Sequence, residues 1–276
     1  MDPLSQVEER LVEEFKRRGS VLVALSGGVD SSVVAALAFK ALKDRAAAVT
    51  FSSPLHPSWE VVEAAKVASE IGVKHLVLEV DELELPSVAG NLPERCYECK
   101  RLRFSKALKL AEELRLSYLA EGSNLDDVAQ YRPGLKALRE LGVWSPLLEA
   151  GLRRSQVVEL ARRLGLSVAE KPPSTCLATR FPYGRRLTVD LLRRIAEAER
   201  LIKELCGIGL VRARDHGGLV RIEVEASEAL KILEKRFELA SRLKELGYAF
   251  VGVWLLRVDG EAAGCSNCRP PTSFTE

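Results

Sequence analysis

Apolar residues in the first part of the chain follow two patterns in turn. Val7, Leu11 and Phe15 recur at helical spacing and predict an amphipathic helix over residues 6–18. The continuous apolar run at 21–25 follows directly and is typical of a parallel strand covered on both faces. The start of the chain therefore predicts a helix followed by a central strand.

Short apolar runs of the same kind return further along the chain, each after a stretch with helical spacing. They lie at residues 46–51, 75–80 and 116–121. Alternation of buried strands with helices is typical of α/β proteins. We therefore predict a doubly wound parallel sheet with helices on both faces.

The pattern changes at residues 170–186, where several prolines and Gly184 exclude a regular helix. We place a domain boundary at this point and predict a first domain at 1–169 and a smaller α+β domain at 170–276. The smaller domain is expected to contain a helix at 189–205, strands at 210–214 and 219–224 joined by a glycine turn, a helix at 227–246 and a strand at 250–257. This order predicts a small sheet with helices on one face.

Charge and hydropathy limit the classes of partner. The chain of 276 residues has 41 basic and 39 acidic side chains, for a formal net charge of +2. Such a balance gives no bulk basic field of the kind that attracts nucleic acid. No apolar stretch has the length of a membrane span, and the first residues lack the apolar core of a signal peptide. We expect a cytoplasmic protein without a membrane partner.

A glycine-rich turn lies between the first predicted strand and a predicted helix at 31–42. Its residues are Ser26, Gly27, Gly28, Val29, Asp30, Ser31 and Ser32. Glycines let the backbone approach an anion, and the N–H groups and dipole of a helix start favour negative charge. The motifs G-x-x-x-x-G-K-[ST] and G-x-G-x-x-G do not occur, which disfavours a P-loop kinase or a dinucleotide site. The alternative is a tight turn with Asp30 or Ser31 as helix cap.

This turn resembles the signature of the PP-loop ATP pyrophosphatases, which adenylate a substrate and release pyrophosphate. The resemblance implies that Asp30 helps to hold Mg²⁺ and pyrophosphate, and that Ser31 and Ser32 bind phosphate oxygens. It assigns the rest of the ATP site to residues after the second and fourth strands, which are Ser52, Ser53, Gly122 and Ser123. Asp126 and Asp127 are either further Mg²⁺ ligands or helix caps.

Later motifs resemble one branch of these enzymes, the LarE-type sulfur transferases of nickel-pincer cofactor synthesis. They are RCYECK at 95–100, EGSNLDD at 121–127, YRPG at 131–134, CLATRFPYG at 176–184 and VRAR at 211–214. The resemblance implies that ATP adenylates a carboxylate of pyridinium-3,5-biscarboxylic acid mononucleotide, after which sulfur displaces AMP. It also implies a homo-oligomer and a sulfide or other sulfur donor.

Cys176 is the leading candidate for the sulfur-transfer residue, since it lies in a non-helical segment beside Arg180, and a nearby cation favours a thiolate. In part of the resembled family the matching cysteine gives up its own sulfur. In the cluster-bearing branch, Cys176, Cys265 and Cys268 would instead hold a 4Fe–4S cluster whose open iron carries sulfide.

Other interpretations of the cysteines stay open. The pairs Cys96/Cys99 and Cys265/Cys268 have the spacing of zinc ligands, although a long stretch of chain separates them. The terminal pair is otherwise a redox couple beside a reactive Cys176. Cys206, on a predicted amphipathic helix, is expected to be a small buried hydrophobe.

Two arginines are candidates for the phosphate of a mononucleotide. Arg212 and Arg214 are two residues apart on a predicted strand and therefore share a face, which suits a forked grip on phosphate. The alternative is a solvated basic face. Arg132 and Arg180 are weaker candidates for charge on ATP or the adenylate. By resemblance, Glu199 and Glu223 are acidic positions near the phosphate.

Three rival functions remain. A tRNA thiolase would use the same turn and a similar cysteine set, but the balanced charge and an aromatic content of 6% disfavour it. An ammonia-using ligase would leave the cysteines without a role. A nucleotide-binding redox sensor would keep the turn and lack the chemistry.

Overall fold

The computed structural model describes residues 2–129 and 132–254. Contacts group the chain into two compact units, one formed by Met1–Glu82 with Cys96–Lys171 and the other by Leu83–Arg95 with Pro172–Glu276. The predicted division at 169/170 places residues 83–95 in the first domain, whereas the contacts group them with the second unit. The division into domains at 1–169 and 170–276 stays a prediction.

The chain alternates helices and strands up to Lys171 and continues with a shorter series after it. The first series is α1 (Pro3–Arg18), β1 (Val21–Ala24), α2 (Val29–Leu42), β2 (Ala46–Ser52), α3 (Ser58–Ile71), β3 (Lys74–Glu79), α4 (Pro86–Ala89), α5 (Arg95–Glu113), β4 (Tyr118–Ala120), α6 (Leu125–Val128), α7 (Pro133–Glu140), α8 (Pro146–Glu149) and α9 (Arg154–Arg163). The second series is α10 (Val189–Cys206), β5 (Val211–Asp215), β6 (Leu219–Val224), α11 (Ala229–Glu234), α12 (Arg236–Glu245) and β7 (Phe250–Trp254).

The first unit contains a parallel sheet with the strand order β3-β2-β1-β4. Successive residues of β1 point into different cores: Val23 packs in one cluster with Phe15 of α1, while Leu22 packs in another with Phe104 of α5. Alternate strand residues face opposite sides of a sheet, so both faces are covered by helices. The predicted doubly wound α/β architecture is confirmed.

The third predicted strand differs from expectation in its surroundings. The run at 75–80 predicts a buried strand, but β3 is at the edge of the sheet and the side chain of Val77 is 51% exposed. Leu76 and Leu78 of β3 still pack against the core that contains Phe104, so a short apolar run does not by itself distinguish a central strand from an edge strand.

The second unit contains a three-stranded sheet in which β5 and β6 are antiparallel and β6 and β7 are parallel. Val220, Ile222 and Val224 are buried and alternate with more exposed residues along β6. The predicted single helix at 227–246 is wrong, since α11 and α12 are separated at Lys235, whose φ of −96° and ψ of 8° depart from helical values. The smaller α+β region is nevertheless present.

Within the described residues, no helix has both the length and the apolar character needed to cross a lipid bilayer.

Candidate functional site

The turn between β1 and α2 has a backbone that suits glycine. Gly27 has a φ of +70°, in the left-handed region that other residues rarely adopt. A Cβ atom at Gly27 would lie 3.1 Å from the Cα of Ala64 on α3. The turn is therefore folded tightly against α3, and glycine at this position is required by both backbone angle and space.

Serine hydroxyls brace the same turn from inside. Ser31 Oγ lies 3.0 Å from Ser26 Oγ, accepts a hydrogen bond from Ser26 N at 3.1 Å and donates to Gly28 O at 3.2 Å. Ser32 Oγ donates to Gly28 O at 2.7 Å. Gly28, and neither Asp30 nor Ser31, is the N-cap of α2, and no side-chain cap bond is made there. The first N–H groups of α2 thus have no side-chain cap, and uncapped N–H groups at a helix N-terminus are a common binding site for anions.

Asp30, in the first turn of α2, is held by two side chains from later in the sequence. Its carboxylate forms an ion pair with Arg154 of α9 and accepts a hydrogen bond from Asn124 Nδ2 at 3.2 Å. Burial raises the pKa of Asp30, while the charge of Arg154 and the bond from Asn124 oppose that rise. From the sequence, Asn124 is only one residue of the EGSNLDD motif and has no role of its own. Arg154 belongs to no motif, so the sequence does not indicate it.

Gly122 follows β4 and brings a second segment against the turn. A Cβ atom at Gly122 would lie 2.6 Å from Ser31 N and 2.9 Å from the carbonyl carbon of Asp30. Nearby, Glu121 accepts hydrogen bonds from Ser123 N at 3.0 Å and from Ser145 Oγ at 2.5 Å. The structure therefore brings Gly122 and the turn together, while their contacts with nucleotide stay predictions.

Asp126 and Asp127 stabilise helix starts. Asp127 accepts from Asn124 N at 2.9 Å in a capping box at α6 and pairs with Arg132 at 3.0 Å. Asp126 accepts from Arg153 Nη1 and from Arg154 N, both at 2.8 Å. These contacts favour the capping interpretation, and Mg²⁺ binding by Asp127 stays a prediction.

A buried polar network follows the end of β2, where Ser52 is the last strand residue. Ser53 Oγ donates to Glu82 at 2.5 Å, and Arg103 of α5 forms an ion pair with Glu82 and donates from Nη2 to Ser53 Oγ at 3.1 Å. Glu82 has no exposed surface. The network holds Ser53, which together with Ser52 is predicted to belong to the ATP site, and the sequence did not indicate either Glu82 or Arg103.

Lys171 is a further residue that the sequence did not single out. Its Nζ donates to the carbonyl oxygen of Gly27 at 2.9 Å and to Glu63 Oε2 at 2.8 Å. The lysine lies in the proline-rich segment that the sequence identifies only as irregular. It nevertheless reaches back to the turn after β1, which is in the same unit.

In the second unit, Cys176 is half-buried and is the N-cap of a 3₁₀ turn at Leu177–Arg180. Its carbonyl oxygen accepts from Thr179 N at 3.1 Å and from Thr179 Oγ1 at 2.8 Å. Arg180 forms a buried ion pair with Glu199, with Nε 2.6 Å from Oε1. The cation that the sequence places beside Cys176 is thus compensated by a carboxylate.

The two candidate phosphate arginines differ in their surroundings. Arg214 is buried, donates from Nε to Glu223 at 3.0 Å and from Nη1 to Thr179 O at 2.6 Å. Arg212 is half-buried and donates to Pro173 O at 2.7 Å. Burial favours a raised pKa for Glu223, but the bonds and charges of Arg214 and Arg221 outweigh it and lower that pKa. Phosphate binding by Arg212 and Arg214 stays a prediction.

Within residues 2–129 and 132–254, no group of three or more His, Cys, Asp or Glu side chains is arranged to hold a metal ion. The predicted cluster ligands Cys265 and Cys268 lie outside the described residues, as does Tyr131 of the YRPG motif. Cys96 and Cys99 are half-buried at the start of α5. Cys206 is buried as expected, and burial raises the pKa of its thiol.

The parallel sheet and the braced glycine turn before α2 define a nucleotide-binding protein of the PP-loop class. A family model described as asparagine synthase matches residues 6–105, which include this turn. The chain is 32% identical to pyridinium-3,5-bisthiocarboxylic acid mononucleotide synthase of Lactiplantibacillus plantarum, over 91% of this chain and 91% of the relative. On this similarity, the chain belongs to the LarE family.

Two other relatives are similar to this chain, one at a higher and one at a lower identity than the Lactiplantibacillus synthase. An uncharacterised protein of Synechocystis sp. is 34% identical over 94% of this chain and 96% of its own length. A tRNA-specific 2-thiouridylase of Rickettsia felis is 29% identical over 78% of this chain and 68% of its own length. The similarity to the thiouridylase is thus lower in both identity and coverage.

Proposed function

We propose that this protein is an ATP-dependent sulfur transferase acting on pyridinium-3,5-biscarboxylic acid mononucleotide. ATP adenylates one carboxylate of the acceptor and pyrophosphate is released; sulfur then replaces AMP to give the thiocarboxylate. The observation that carries the proposal is the braced turn before α2, taken with the similarity to the Lactiplantibacillus synthase over 91% of the chain.

Adenylation solves a leaving-group problem. Direct attack of sulfur on a carboxylate would have to expel oxide, whereas an acyl adenylate expels AMP, a stabilised anion. The chain's part in this step is to hold the β and γ phosphates while the bond from the α phosphorus to the bridging oxygen breaks. N–H groups at the start of α2, near Gly28, supply fixed donors to the negative charge that develops on pyrophosphate.

Asp30 is proposed to position Mg²⁺ at the phosphates. Its carboxylate oxygen is a suitable ligand for a hard cation, and its burial beside the turn is consistent with that role. Because Arg154 and Asn124 already hold this carboxylate, Mg²⁺ would share it with Arg154 or displace that arginine. Bound Mg²⁺ would offset phosphate charge during pyrophosphate departure.

Cys176 is proposed as the sulfur-transfer residue. It is half-buried at the cap of a turn in which Thr179 Oγ1 donates to the Cys176 carbonyl and Arg180 Nη1 donates to Thr175 Oγ1, so the backbone around the cysteine is held in place. In the cluster form of the proposal, Cys176, Cys265 and Cys268 hold a 4Fe–4S cluster, which when bound would supply sulfide from outside the chain. In the alternative form, the Cys176 sulfur displaces AMP to form a thioester, and cleavage of its own Cβ–S bond then releases the thiocarboxylate and leaves dehydroalanine, so each chain reacts once.

For the acceptor, Arg212 and Arg214 are proposed to bind the mononucleotide phosphate. Arg212 is the more accessible of the two, and Arg214 would have to share its guanidinium between Glu223 and the ligand. Forked guanidinium groups suit phosphate because they offer paired donors in one plane.

The central experiment supplies ATP, Mg²⁺ and the pyridinium acceptor and measures products. Acceptor-dependent formation of AMP and pyrophosphate is expected, and formation of ADP would refute the proposal. Asp30→Asn should lower pyrophosphate release by about 10²-fold or more, the scale of losing one charge-stabilising group. The exposed Asp44, between α2 and β2, gives the matched control Asp44→Asn, which should behave as the parent.

The source of sulfur is tested by metal analysis of protein prepared without oxygen. Iron and sulfide bound to the parent and lost in Cys176→Ala and Cys265→Ala support the cluster. Iron-free protein that still converts about one acceptor carboxylate per chain supports sacrifice of Cys176. Zinc without iron would contradict the cluster form and favour a site built from the two Cys-x-x-Cys pairs.

A second candidate is tRNA thiolation, favoured by the similarity to the Rickettsia felis thiouridylase over 78% of this chain. The formal net charge of +2 disfavours it, because tRNA enzymes need a basic surface. Tight binding of bulk tRNA that weakens steeply with salt would support this candidate.

A sensor without catalysis is distinguished by the absence of acceptor-dependent pyrophosphate release. A cytoplasmic location and a homo-oligomer stay predictions.

A further inference from the structure

Lys171 joins the carbonyl of Gly27 to the carboxylate of Glu63. Its Nζ is 2.9 Å from Gly27 O and 2.8 Å from Glu63 Oε2, and its side chain is 26% exposed. Glu63 lies on α3, one residue before Ala64, whose backbone the turn contacts at Gly27. The ammonium group therefore binds the outer side of the turn and ties it to α3.

A bond to the Gly27 carbonyl also fixes the next N–H group. The Gly27–Gly28 peptide is trans, so the carbonyl of Gly27 and the N–H of Gly28 point in opposite directions. With its carbonyl held by Lys171, the peptide directs the N–H of Gly28 to the inner side of the turn, where it donates a long hydrogen bond of 3.4 Å to Ser26 Oγ. That inner side is where Ser26, Ser31 and the start of α2 meet.

The same peptide is flanked by glycines and is therefore easily rotated. Gly27 has a φ of +70°, and glycine populates positive and negative φ about equally. Rotation of the peptide plane by half a turn would direct the Gly27 carbonyl oxygen, and its partial negative charge, to the inner side. A bound anion would then face repulsion where it otherwise meets a donor.

We propose that Lys171 is a positioning residue for pyrophosphate: it locks the Gly27–Gly28 peptide so that the N–H of Gly28 faces the phosphates of ATP. The inference rests on the proposed use of ATP and adds a residue from the irregular segment after α9 to the pyrophosphate site. Glu63 holds the ammonium in place by pairing with it.

The test uses the full chain and two probes, inorganic pyrophosphate with Mg²⁺ and AMP. Lys171→Met keeps the length of the side chain and removes its donor. We expect its affinity for pyrophosphate to fall by roughly tenfold to one-hundredfold, as loss of one charge-assisted hydrogen bond gives. Affinity for AMP should be unchanged, and Lys171→Arg, which keeps a cationic donor, should regain most of the pyrophosphate affinity. Lys66→Met, on the exposed side of α3, is the matched control and should bind both probes as the parent does.

Equal pyrophosphate affinity in Lys171→Met and the parent would overturn the inference, and so would an equal loss for pyrophosphate and AMP. Unaltered AMP binding shows that the variant is folded. If Lys171→Met does not fold, Glu63→Gln tests the inference instead. We expect this variant to show a smaller, selective loss of pyrophosphate affinity, and the absence of any loss would overturn the inference. Failure of the parent itself to bind pyrophosphate or ATP would instead refute the proposed function, which separates the two outcomes.

Discussion

Arg180 and Glu199 form a two-pronged ion pair in the interior of the second unit, with Nε 2.6 Å from Oε1 and Nη2 3.2 Å from Oε2. Their side chains are only 2% and 8% exposed. Glu199 Oε1 also accepts from Ala213 N at 3.0 Å. One carboxylate on α10 therefore binds both the turn that follows Cys176 and strand β5.

Replacing Glu199 by Gln is expected to destabilise the protein strongly. The change leaves the Arg180 guanidinium buried without a counter-charge, and breaking a buried pair in this way costs about 3–5 kcal/mol. Urea denaturation followed by circular dichroism measures the free energy of unfolding. Glu197→Gln is the control, since Glu197 pairs with Arg200 on the same helix at an exposed site; loss of such a pair costs at most about 1 kcal/mol. Similar losses in the two variants would contradict the buried pair.

Gly122→Ala tests the close approach of the segment after β4 to the start of α2. The new methyl group would lie 2.6 Å from Ser31 N, and backbone cannot move aside as a flexible side chain can. Overpacking of this kind costs about 1–3 kcal/mol, and displacement of Ser31 should also weaken ATP binding. Gly209→Ala is the control, because a Cβ there meets no atom within 4 Å. Thermal melting and ATP titration measure the effects, and unchanged ATP affinity in Gly122→Ala would show that the turn tolerates the shift.

The sequence predicts the sheet of the first unit well because its information is local. Apolar runs, helical spacing and the glycines at 27 and 28 are each visible within a few neighbouring residues. These features place β1 and α2 within one or two residues of their observed bounds. The break between α11 and α12 is not predicted because Lys235 is a common helix residue, and its non-helical backbone has no sequence signal.

The residues around the turn are harder to predict because they arrive from distant segments. Arg154 is 124 positions from Asp30, and Lys171 is 144 positions from Gly27. Each is one charged residue among many and belongs to no periodic pattern. Pairing at such separation is set by the folded arrangement of α3, α9 and the segment after it. A single sequence indicates the turn but not the charges that hold it.

Glu223 gives a pH-dependent contribution to stability. Its pKa in the folded protein is lowered from its ordinary value by Arg214 and Arg221, against the effect of burial. A carboxylate with a lowered folded pKa contributes stability above its unfolded pKa, and this is lost as pH falls through the folded value. The free energy of unfolding of Glu223→Gln should therefore be lower than that of the parent by about 1–3 kcal/mol at neutral pH, and the difference should be smaller below pH ~4. The exposed Glu234→Gln is the control, and a loss in Glu223→Gln that is independent of pH would contradict the charge effect.

Arg154→Met tests the charge that accompanies Asp30. Burial raises the pKa of Asp30 and the charge of Arg154 opposes this, so removing the arginine should raise that pKa further. If pyrophosphate release needs ionised Asp30, the acidic limb of its pH profile moves to higher pH in Arg154→Met, because the carboxylate is protonated sooner as pH falls. Arg153→Met is the matched control: Arg153 is the adjacent residue, its side chain is 65% exposed and it pairs with Asp126 instead. Its acidic limb should coincide with that of the parent. An Arg154→Met profile with lower activity but an unmoved acidic limb would show that Arg154 orients Asp30 without controlling its ionisation.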